Sequence, residues 1–260
     1  MASRTHDEVR QAVQDRYSTI AETRGERTCC ESALVTTLDE KAHQVGYSTE
    51  DTQTVPAGAN LGLGCGNPVA IASLRPGDVV VDLGSGAGFD CFLAAQVVGT
   101  TGKIIGVDMT PAMLAQAREN ATKGPFANIE FRLGEIEHLP VADQSVDVII
   151  SNCVINLSPE KFQVFQEAYR VLKRGGRLAI SDVVATAPFP ETMRENLALL
   201  SSCVTGAALL EDVERMLQAA GFTAIRIQPK DESKTFIREW VPDTKIEDYL
   251  VSATIEAVKP

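Results

Sequence analysis

The sequence VVVDLGSGAG, residues 79–88, decides the fold of this chain. It begins with an almost continuous apolar strand, as expected for a sheet that is covered on both faces. The glycines that follow allow a tight turn and let a ligand reach main-chain N–H groups. Because a helix is predicted directly afterwards, over residues 89–98, the stretch indicates the first strand–turn–helix unit of a nucleotide-binding sheet. A tight turn that binds no ligand is the alternative.

Strands and helices alternate through most of the chain, as apolar runs and helical periodicity indicate. The predicted strands are residues 79–83, 103–108, 129–133, 146–151, 177–183, 222–228 and 249–258. The predicted helices are residues 7–23, 89–98, 189–203 and 210–219, a short helix from Pro68, and helices that run from Pro111 to Gly124 and from Pro159 to Gly175. Residues 51–66 are predicted to form a loop.

This alternation predicts an α/β protein with a Rossmann-like, mostly parallel sheet and right-handed crossovers. We expect three parts. Residues 1–66 hold an N-terminal helix and a cysteine-containing loop region, and residues 67–187 form the cofactor-binding domain. Residues 188–260 form a small C-terminal α+β portion that completes the sheet. Ligands of such sheets bind beyond the carboxyl ends of the strands, which marks the glycine turn and the residues after the fourth strand.

Composition argues against several functions. The 260 residues carry a formal net charge of −11 at pH 7, which repels nucleic-acid phosphates and anionic membranes. The sequence has neither an apolar run long enough to span a bilayer nor the apolar stretch of a signal peptide. We therefore expect a soluble, cytoplasmic protein without a nucleic-acid or membrane partner. No coiled-coil pattern is present, so a monomer is expected.

The spacing of the glycines indicates the type of cofactor. Dinucleotide-binding turns have the pattern Gly-x-Gly-x-x-Gly, whereas this turn reads Gly-x-Gly-x-Gly and follows Asp82. A carboxylate there repels a pyrophosphate and suits a cofactor with an amino group and a sulfonium. Asp108 ends the second strand, where a carboxylate can accept hydrogen bonds from a ribose diol; a solvated turn or a helix cap is the alternative role.

The pattern resembles the first motif of class I S-adenosylmethionine-dependent methyltransferases. The resemblance implies that the glycines line the methionine moiety, that Asp108 binds the ribose and that Met109 packs on the adenine. Glu135 matches the acidic position that contacts the adenine amino group, although an exposed loop charge is its simpler role. The cofactor residues that we predict are Asp82, Gly84, Ser85, Gly86, Gly88, Asp108, Met109, Glu135, Ile136 and Asn152.

Cysteine is the informative residue type for the acceptor. The chain has six cysteines and only three histidines, and it lacks paired CxxC motifs, so a structural zinc site is not expected. Cys153 follows the fourth strand, where an acceptor meets the cofactor. Cys65 lies in a Gly-Cys-Gly loop and Cys203 lies beyond the fifth strand. Cys91, inside the helix after the glycine turn, is expected to be a small buried hydrophobe.

Three segments resemble the cysteine motifs of arsenite methyltransferases. These segments are GLGCGNP at 62–68, SNCVINL at 151–157 and SCVTGA at 202–207. The resemblance implies that Cys65, Cys153 and Cys203 hold trivalent arsenic (arsenite or methylarsenite), which prefers thiolate ligands. Of the adjacent pair Cys29 and Cys30, Cys30 is the better match to a fourth, assisting cysteine.

The same resemblance implies the reaction. A methyl group passes from S-adenosylmethionine to the arsenic lone pair, as a detoxification step in which the protein mainly positions the reactants. The oxidised arsenic is then reduced, with a Cys30–Cys65 disulfide as one hypothesis. External thiols such as glutathione or thioredoxin restore the dithiol.

Three alternatives stay open from the residues themselves. A methyltransferase of a small organic acceptor would keep the cofactor site and make the cysteines incidental. A non-catalytic protein that binds soft metals through thiols would not turn over a cofactor. A nicotinamide oxidoreductase is the least favoured, because of the glycine spacing and Asp82.

Overall fold

The structure is a computed structural model that describes residues 5–23, 37–194, 203–241 and 244–260. Its strands are β1 (Val79–Leu83), β2 (Lys103–Asp108), β3 (Ile129–Leu133), β4 (Val146–Asn152), β5 (Leu172–Ala185), β6 (Thr223–Lys230) and β7 (Leu250–Val258). They form one seven-stranded sheet in the order β3-β2-β1-β4-β5-β7-β6. Neighbours from β3 to β5 are parallel, and β7 is antiparallel to both β5 and β6. The predicted α/β, Rossmann-like, mostly parallel sheet is confirmed.

Helices cover the two faces of the sheet. In chain order they are α1 (His6–Glu22), α2 (Leu38–Gln44), α3 (Thr49–Thr54), α4 (Pro68–Ile71), α5 (Phe89–Val98), α6 (Pro111–Ala121), α7 (Lys161–Val171), α8 (Glu191–Arg194), α9 (Leu210–Ala220) and α10 (Lys234–Ile237). Phe92 of α5 and Leu114 of α6 belong to the apolar layer on one face, whereas Phe165 of α7 and Leu217 of α9 belong to the layer on the other face. Apolar side chains on both faces explain why the central strands are continuously apolar.

Some predicted boundaries were wrong. Residues 51–54 are helical rather than loop, because Ser48 and Asp51 form a reciprocal capping box at the start of α3. The helix expected from Pro159 to Gly175 begins at Lys161 and ends at Val171. It ends early because Leu172 is already extended and pairs with Val146 across an irregular register, so that β5 starts there.

The C-terminal boundaries also differ. Of the helix predicted over 189–203, the structure describes residues 189–194 and 203. Residues 189 and 190 are not helical, α8 is helical, and Cys203 lies in a turn. Strands β6 and β7 lie within one to two residues of their predicted limits. Within the described residues, no helix is both long and apolar enough to cross a membrane. The division into three parts at residues 66 and 187 stays a prediction.

The sheet places the important loops side by side. Strands β1 and β4 are parallel neighbours, with Leu83 opposite Ser151, so both end at the same edge. The glycine turn follows β1, and Cys153 follows β4. Asp108 ends the adjacent strand β2. The fold therefore gathers the predicted cofactor turn and one predicted ligand thiol at a single edge.

Candidate functional site

A deep cleft opens at the carboxyl ends of β1, β2 and β4. The cleft and the solvent at its open mouth together occupy about 1170 Å³, and Arg10, Val13 and Tyr17 of α1 form part of its wall. Of the ten predicted cofactor residues, eight line the cleft: Asp82, Gly84, Ser85, Gly86, Asp108, Met109, Ile136 and Asn152. Gly88 and Glu135 do not line it. Cys153 lines it as well, at the end of β4.

The turn after β1 requires glycine at its first position. Gly84 has φ of 69°, and a Cβ atom on it would lie 2.4 Å from Cγ2 of Val154. Gly86 also has a positive φ, and its N–H donates to Asp108 Oδ2 at 2.9 Å. Gly88 instead begins α5, with φ of 95° and its Cα facing Phe92 and Phe131. Gly88 therefore shapes the turn from behind the cleft.

Asp108 is fixed by main-chain donors. Its Oδ1 accepts the N–H of Thr110 at 2.8 Å, while Oδ2 accepts the N–H of Gly86. Burial raises the pKa of this carboxyl, and the two N–H groups oppose the rise. Each carboxylate oxygen has a second lone pair. The side chain can therefore accept a ligand hydroxyl while the protein keeps it in place.

Two buried carboxylates, Asp82 and Asp90, line the same cleft. Burial and the charge of Asp90 raise the pKa of Asp82 well above its usual range, although the Cys91 thiol donates to Asp82 Oδ2 at 3.2 Å. Burial likewise raises the pKa of Asp90 to about 6, against the hydrogen bonds from Tyr47 and Asn152. Among the described residues, no lysine or arginine pairs with either group. Such a pair suits a cationic ligand.

These features fit S-adenosylmethionine, which carries an ammonium and a sulfonium group. The paired carboxylates match its charge, Asp108 matches a diol, and Met109 and Ile136 offer apolar surface for a flat base. Asp90 was missed by sequence reasoning. The available signal was one acidic residue in the otherwise apolar helix FDCFLAAQVV, where an unpaired charge needs a partner.

Arg10 was also missed. This α1 residue faces three carboxylates outside its own helix: Glu160 at 2.6 Å, and Glu135 and Glu137 at 3.5 Å each. Glu137 is buried and lines the cleft, whereas Glu135 is part-exposed and turns toward Arg10. Gln14 donates to the carbonyl oxygen of Met109 at 3.0 Å. Helix α1 is thus fastened across the cleft by polar contacts.

Two of the predicted ligand thiols, Cys65 and Cys153, lie together beside the cleft, and Cys203 contacts Cys153 without belonging to the same close group. The Sγ atoms of Cys65 and Cys153 and a carboxylate oxygen of Asp182 all lie within 4.8 Å of one another. The Cys203 thiol donates to the carbonyl oxygen of Cys153 at 2.9 Å. All three cysteines are buried in one apolar cluster, against which Trp240 packs. Asp182 was not predicted; it lies on β5 next to the Cys153 turn.

Two of these cysteines have unusual backbone geometry. Cys153 has φ of 58° and Cys203 has φ of 64°, the left-handed region that side chains other than glycine seldom adopt. Cys153 donates its N–H to the Ser181 carbonyl at 2.8 Å, and Asp182 accepts the N–H of Ile155 at 3.1 Å. The surrounding hydrogen bonds therefore hold Cys153 in a strained conformation, as occurs at functional sites.

Two of the thiols, Cys65 and Cys153, ionise less readily than an exposed cysteine. Burial raises the pKa of Cys65, although the Cys153 thiol lowers it in part. For Cys153, the Cys203 thiol lowers the pKa, but Cys65, burial and Asp182 together leave it well above its usual range. Burial raises the pKa of Asp182 to about 6. The raised pKa values favour the protonated form of Cys65 and Cys153 in the buried cluster.

The remaining cysteines divide in two. Cys91 is fully buried in α5, as expected, and its thiol also donates to Asp82. Cys29 and Cys30 lie outside the described residues. The roles of Cys30 and of a Cys30–Cys65 disulfide stay predictions.

Comparisons with known proteins agree with this geometry. A family model described as a methyltransferase domain matches residues 74–221. An arsenite methyltransferase of Halobacterium salinarum is 53% identical over 100% of this chain and 69% of its own length. An arsenite methyltransferase of Mus musculus is 35% identical over 88% of this chain and 62% of its own. The chain thus spans about two thirds of these curated relatives.

A solved structure is similar as well. The arsenic(III) S-adenosylmethionine methyltransferase from Chlamydomonas reinhardtii superimposes with a TM-score of 0.64 at 35% identity. The match covers 84% of this chain and 73% of that protein.

Proposed function

Because this chain belongs to the arsenite methyltransferases, enzymes with the class I S-adenosylmethionine-dependent methyltransferase fold, we propose that it methylates trivalent arsenic held by Cys65, Cys153 and Cys203. The observation that carries the proposal is the position of Cys153. Cys153 lines the cofactor cleft, and its Sγ atom lies in the group formed with Cys65 and Asp182. Cys153 therefore lies where the proposed cofactor site and the proposed arsenic site meet.

Arsenic capture does not require ionised thiols. Arsenite in water is As(OH)₃, and exchange with three thiols forms three As–S bonds and releases three water molecules. Each thiol proton leaves on a departing hydroxyl group, so no net proton is released. Raised thiol pKa values do not hinder this exchange, since no free thiolate has to form first. The apolar surroundings of the cluster then exclude water from the bound arsenic.

In the cleft, Asp82 and Asp90 face the cationic end of the cofactor, Asp108 holds the ribose, and Met109 and Ile136 flank the adenine. Glu135, which pairs with Arg10, is proposed to turn to the adenine amino group when the cofactor binds. When bound, S-adenosylmethionine supplies an electrophilic methyl group, and the products are methylated arsenic and S-adenosylhomocysteine. The protein contributes mainly alignment of the two reactants, because the arsenic lone pair carries no proton to remove.

The finer physiology belongs to the same proposal. Methyl transfer formally converts As(III) to As(V), so a two-electron reduction is needed before a further round. Two thiols oxidised to a disulfide supply these electrons, and glutathione or thioredoxin restores them. A reducing, cytoplasmic setting suits such thiol chemistry. Arsenic detoxification by a monomer, without nucleic-acid or membrane partners, completes the proposal.

Labelled methyl transfer to arsenite tests this function. The native chain, Cys153→Ser, Cys203→Ser and the control Cys91→Ser are incubated with methyl-labelled S-adenosylmethionine, arsenite and glutathione. We expect methylated arsenic from the native chain and from Cys91→Ser, and at least a hundredfold less from the other two, since serine cannot bind arsenic as a soft ligand. Wild-type rates for Cys153→Ser and Cys203→Ser would refute thiolate ligation. Cofactor binding without arsenite methylation by the native chain would indicate an organic acceptor.

A further inference from the structure

One amide side chain holds the Cys65 loop from the cleft side. Asn152 Oδ1 accepts the N–H of Cys65 at 3.0 Å, and Asn152 Nδ2 donates to the carbonyl oxygen of Gly66 at 2.8 Å. The loop fits tightly against this amide, because a Cβ on Gly64 would lie 2.7 Å from Nδ2. The position of the Cys65 backbone therefore depends on the orientation of the Asn152 amide.

The same amide is fastened on its other side by Tyr47 and Asp90. Asn152 Nδ2 lies 2.8 Å from the Tyr47 hydroxyl and 3.2 Å from Asp90 Oδ2. The Tyr47 hydroxyl donates to Asp90 Oδ1 at 2.6 Å. Tyr47 and Asp90 are buried, and all three side chains line the cleft. A continuous path of hydrogen bonds thus runs from a cleft carboxylate to the Cys65 main chain.

Charge makes this path sensitive to what occupies the cleft. Asp82 and Asp90 are buried near one another, and each raises the energy of the other's charged form. A cation between them removes that repulsion and favours an ionised, stationary Asp90. An ionised Asp90 accepts from Tyr47 and Asn152 together, whereas a protonated or displaced one does not. The hydrogen bond from Asn152 to Asp90 is therefore expected to be stronger when a cation occupies the cleft than when the cleft is empty.

We infer that Tyr47, Asp90 and Asn152 are positioning residues that link the two sites, so that a cationic cofactor in the cleft strengthens arsenical binding at the Cys65 thiol. This inference rests on the proposed function. By linkage, bound arsenite strengthens cofactor binding by the same factor. Only the hydroxyl of Tyr47 takes part in the hydrogen-bond path. Its ring packs on Phe89, and a phenylalanine variant keeps that contact while it removes the hydroxyl.

Arsenite titrations with and without sinefungin test the inference. Sinefungin is a cofactor analogue with an amine in place of the sulfonium, so it supplies the charge but no methyl group. Trp240 is the single tryptophan of the chain and packs against the apolar cluster that contains the three cysteines, so its fluorescence is the probe of arsenite binding. In the native chain we expect saturating sinefungin to lower the arsenite Kd about fivefold or more, within the usual range of linked sites.

The variants isolate the path. In Tyr47→Phe the sinefungin effect should fall below about twofold, as expected when a linking contact is lost. Tyr169→Phe makes the same chemical change at a ring that packs on Phe222, and it should keep the native effect. Asp90→Asn removes the charge at nearly constant shape and should also abolish the effect. The ratio of the two Kd values is the readout, since a general loss of stability would weaken both titrations alike.

The outcomes separate the two proposals. No arsenite binding by the native chain would overturn the proposed function. Arsenite binding that sinefungin leaves unchanged would overturn only the inference. Native linkage in Tyr47→Phe and Asp90→Asn would also overturn it, even if both sites function.

Discussion

The side chain of Val154 fills the space beside Gly84, where a Cβ atom would lie 2.4 Å from Val154 Cγ2. This contact joins the glycine turn after β1 to the turn after β4, in which Val154 directly follows Cys153. The cofactor turn and the ligand turn are therefore packed as one unit. A side chain added at Gly84 would therefore have to move the turn after β1, the turn after β4, or both.

Gly84→Ala should damage the cofactor site. The variant combines the strain of φ at 69° with the clash against Val154, so we expect cofactor affinity to fall at least tenfold. Gly99→Ala is the matched control: its φ is 65°, and nothing lies within 4 Å of the added Cβ. That control should lose about 1–3 kcal/mol of stability, because φ of 65° with ψ of −172° is a backbone region that glycine almost alone adopts, and it should keep its affinity. Calorimetric titration with S-adenosylhomocysteine, together with thermal unfolding, measures both; equal affinities in the two variants would contradict the steric explanation.

Backbone strain at Cys153 predicts that a glycine variant is more stable there than an alanine variant. Cys153→Gly and Cys153→Ala both delete the thiol, but only glycine accepts φ of 58° without strain. The free energy of unfolding should be about 0.5–1 kcal/mol higher for Cys153→Gly than for Cys153→Ala.

At Cys91 the order should reverse. This residue lies within helix α5, where glycine is less stable than alanine by about 1 kcal/mol. Urea denaturation of the four variants gives both differences. The same order at both positions would show that Cys153 is not strained in solution.

The sequence predicted the part of the site that local pattern controls. Asp82, Asp108 and the glycine turn follow from strand ends and spacing, and all of them except Gly88 line the cleft. The register of β1 and β4 explains why a rule about strand ends also located Cys153 and Asn152.

Other features depend on contacts between distant segments. Tyr47 meets Asp90 across 43 residues, and Arg10 meets Glu160 across 150. Sequence spacing carries no information about such encounters. Glu135 combines both cases. Its position after β3 was predictable, but its side chain turns toward Arg10 instead of the cleft, and this contact depends on α1.

Cofactor affinity should depend on pH through Asp90. The pKa of this carboxyl is raised to about 6, and a cationic cofactor binds its charged form better. Asp82, whose pKa is also raised, faces the same cation and extends the dependence toward higher pH. As pH falls through 6, protons compete with the cofactor and the Kd should rise, approaching tenfold per pH unit for one linked proton.

Titrations with sinefungin between pH 5 and 8 measure this dependence. Asp90→Asn should bind more weakly at pH 7 and show a flatter profile, with Asp82 as the remaining carboxyl of the pair. A native profile in Asp90→Asn would assign the titration to another group.

Arg10 should control how long the cofactor stays bound. Its guanidinium joins α1 to Glu160 and to the buried Glu137 in the cleft wall. Arg10→Gln therefore leaves Ser158 as the one native donor to the Glu137 carboxylate among the described residues. We expect the dissociation rate of S-adenosylhomocysteine to rise about tenfold, corresponding to about 1.4 kcal/mol, with a smaller change in the association rate. Gln11→Ala, on the exposed side of the same helix, loses only a contact to Asp15 and should leave both rates unchanged. Stopped-flow displacement distinguishes the two; equal rates would mean that α1 does not retain the cofactor.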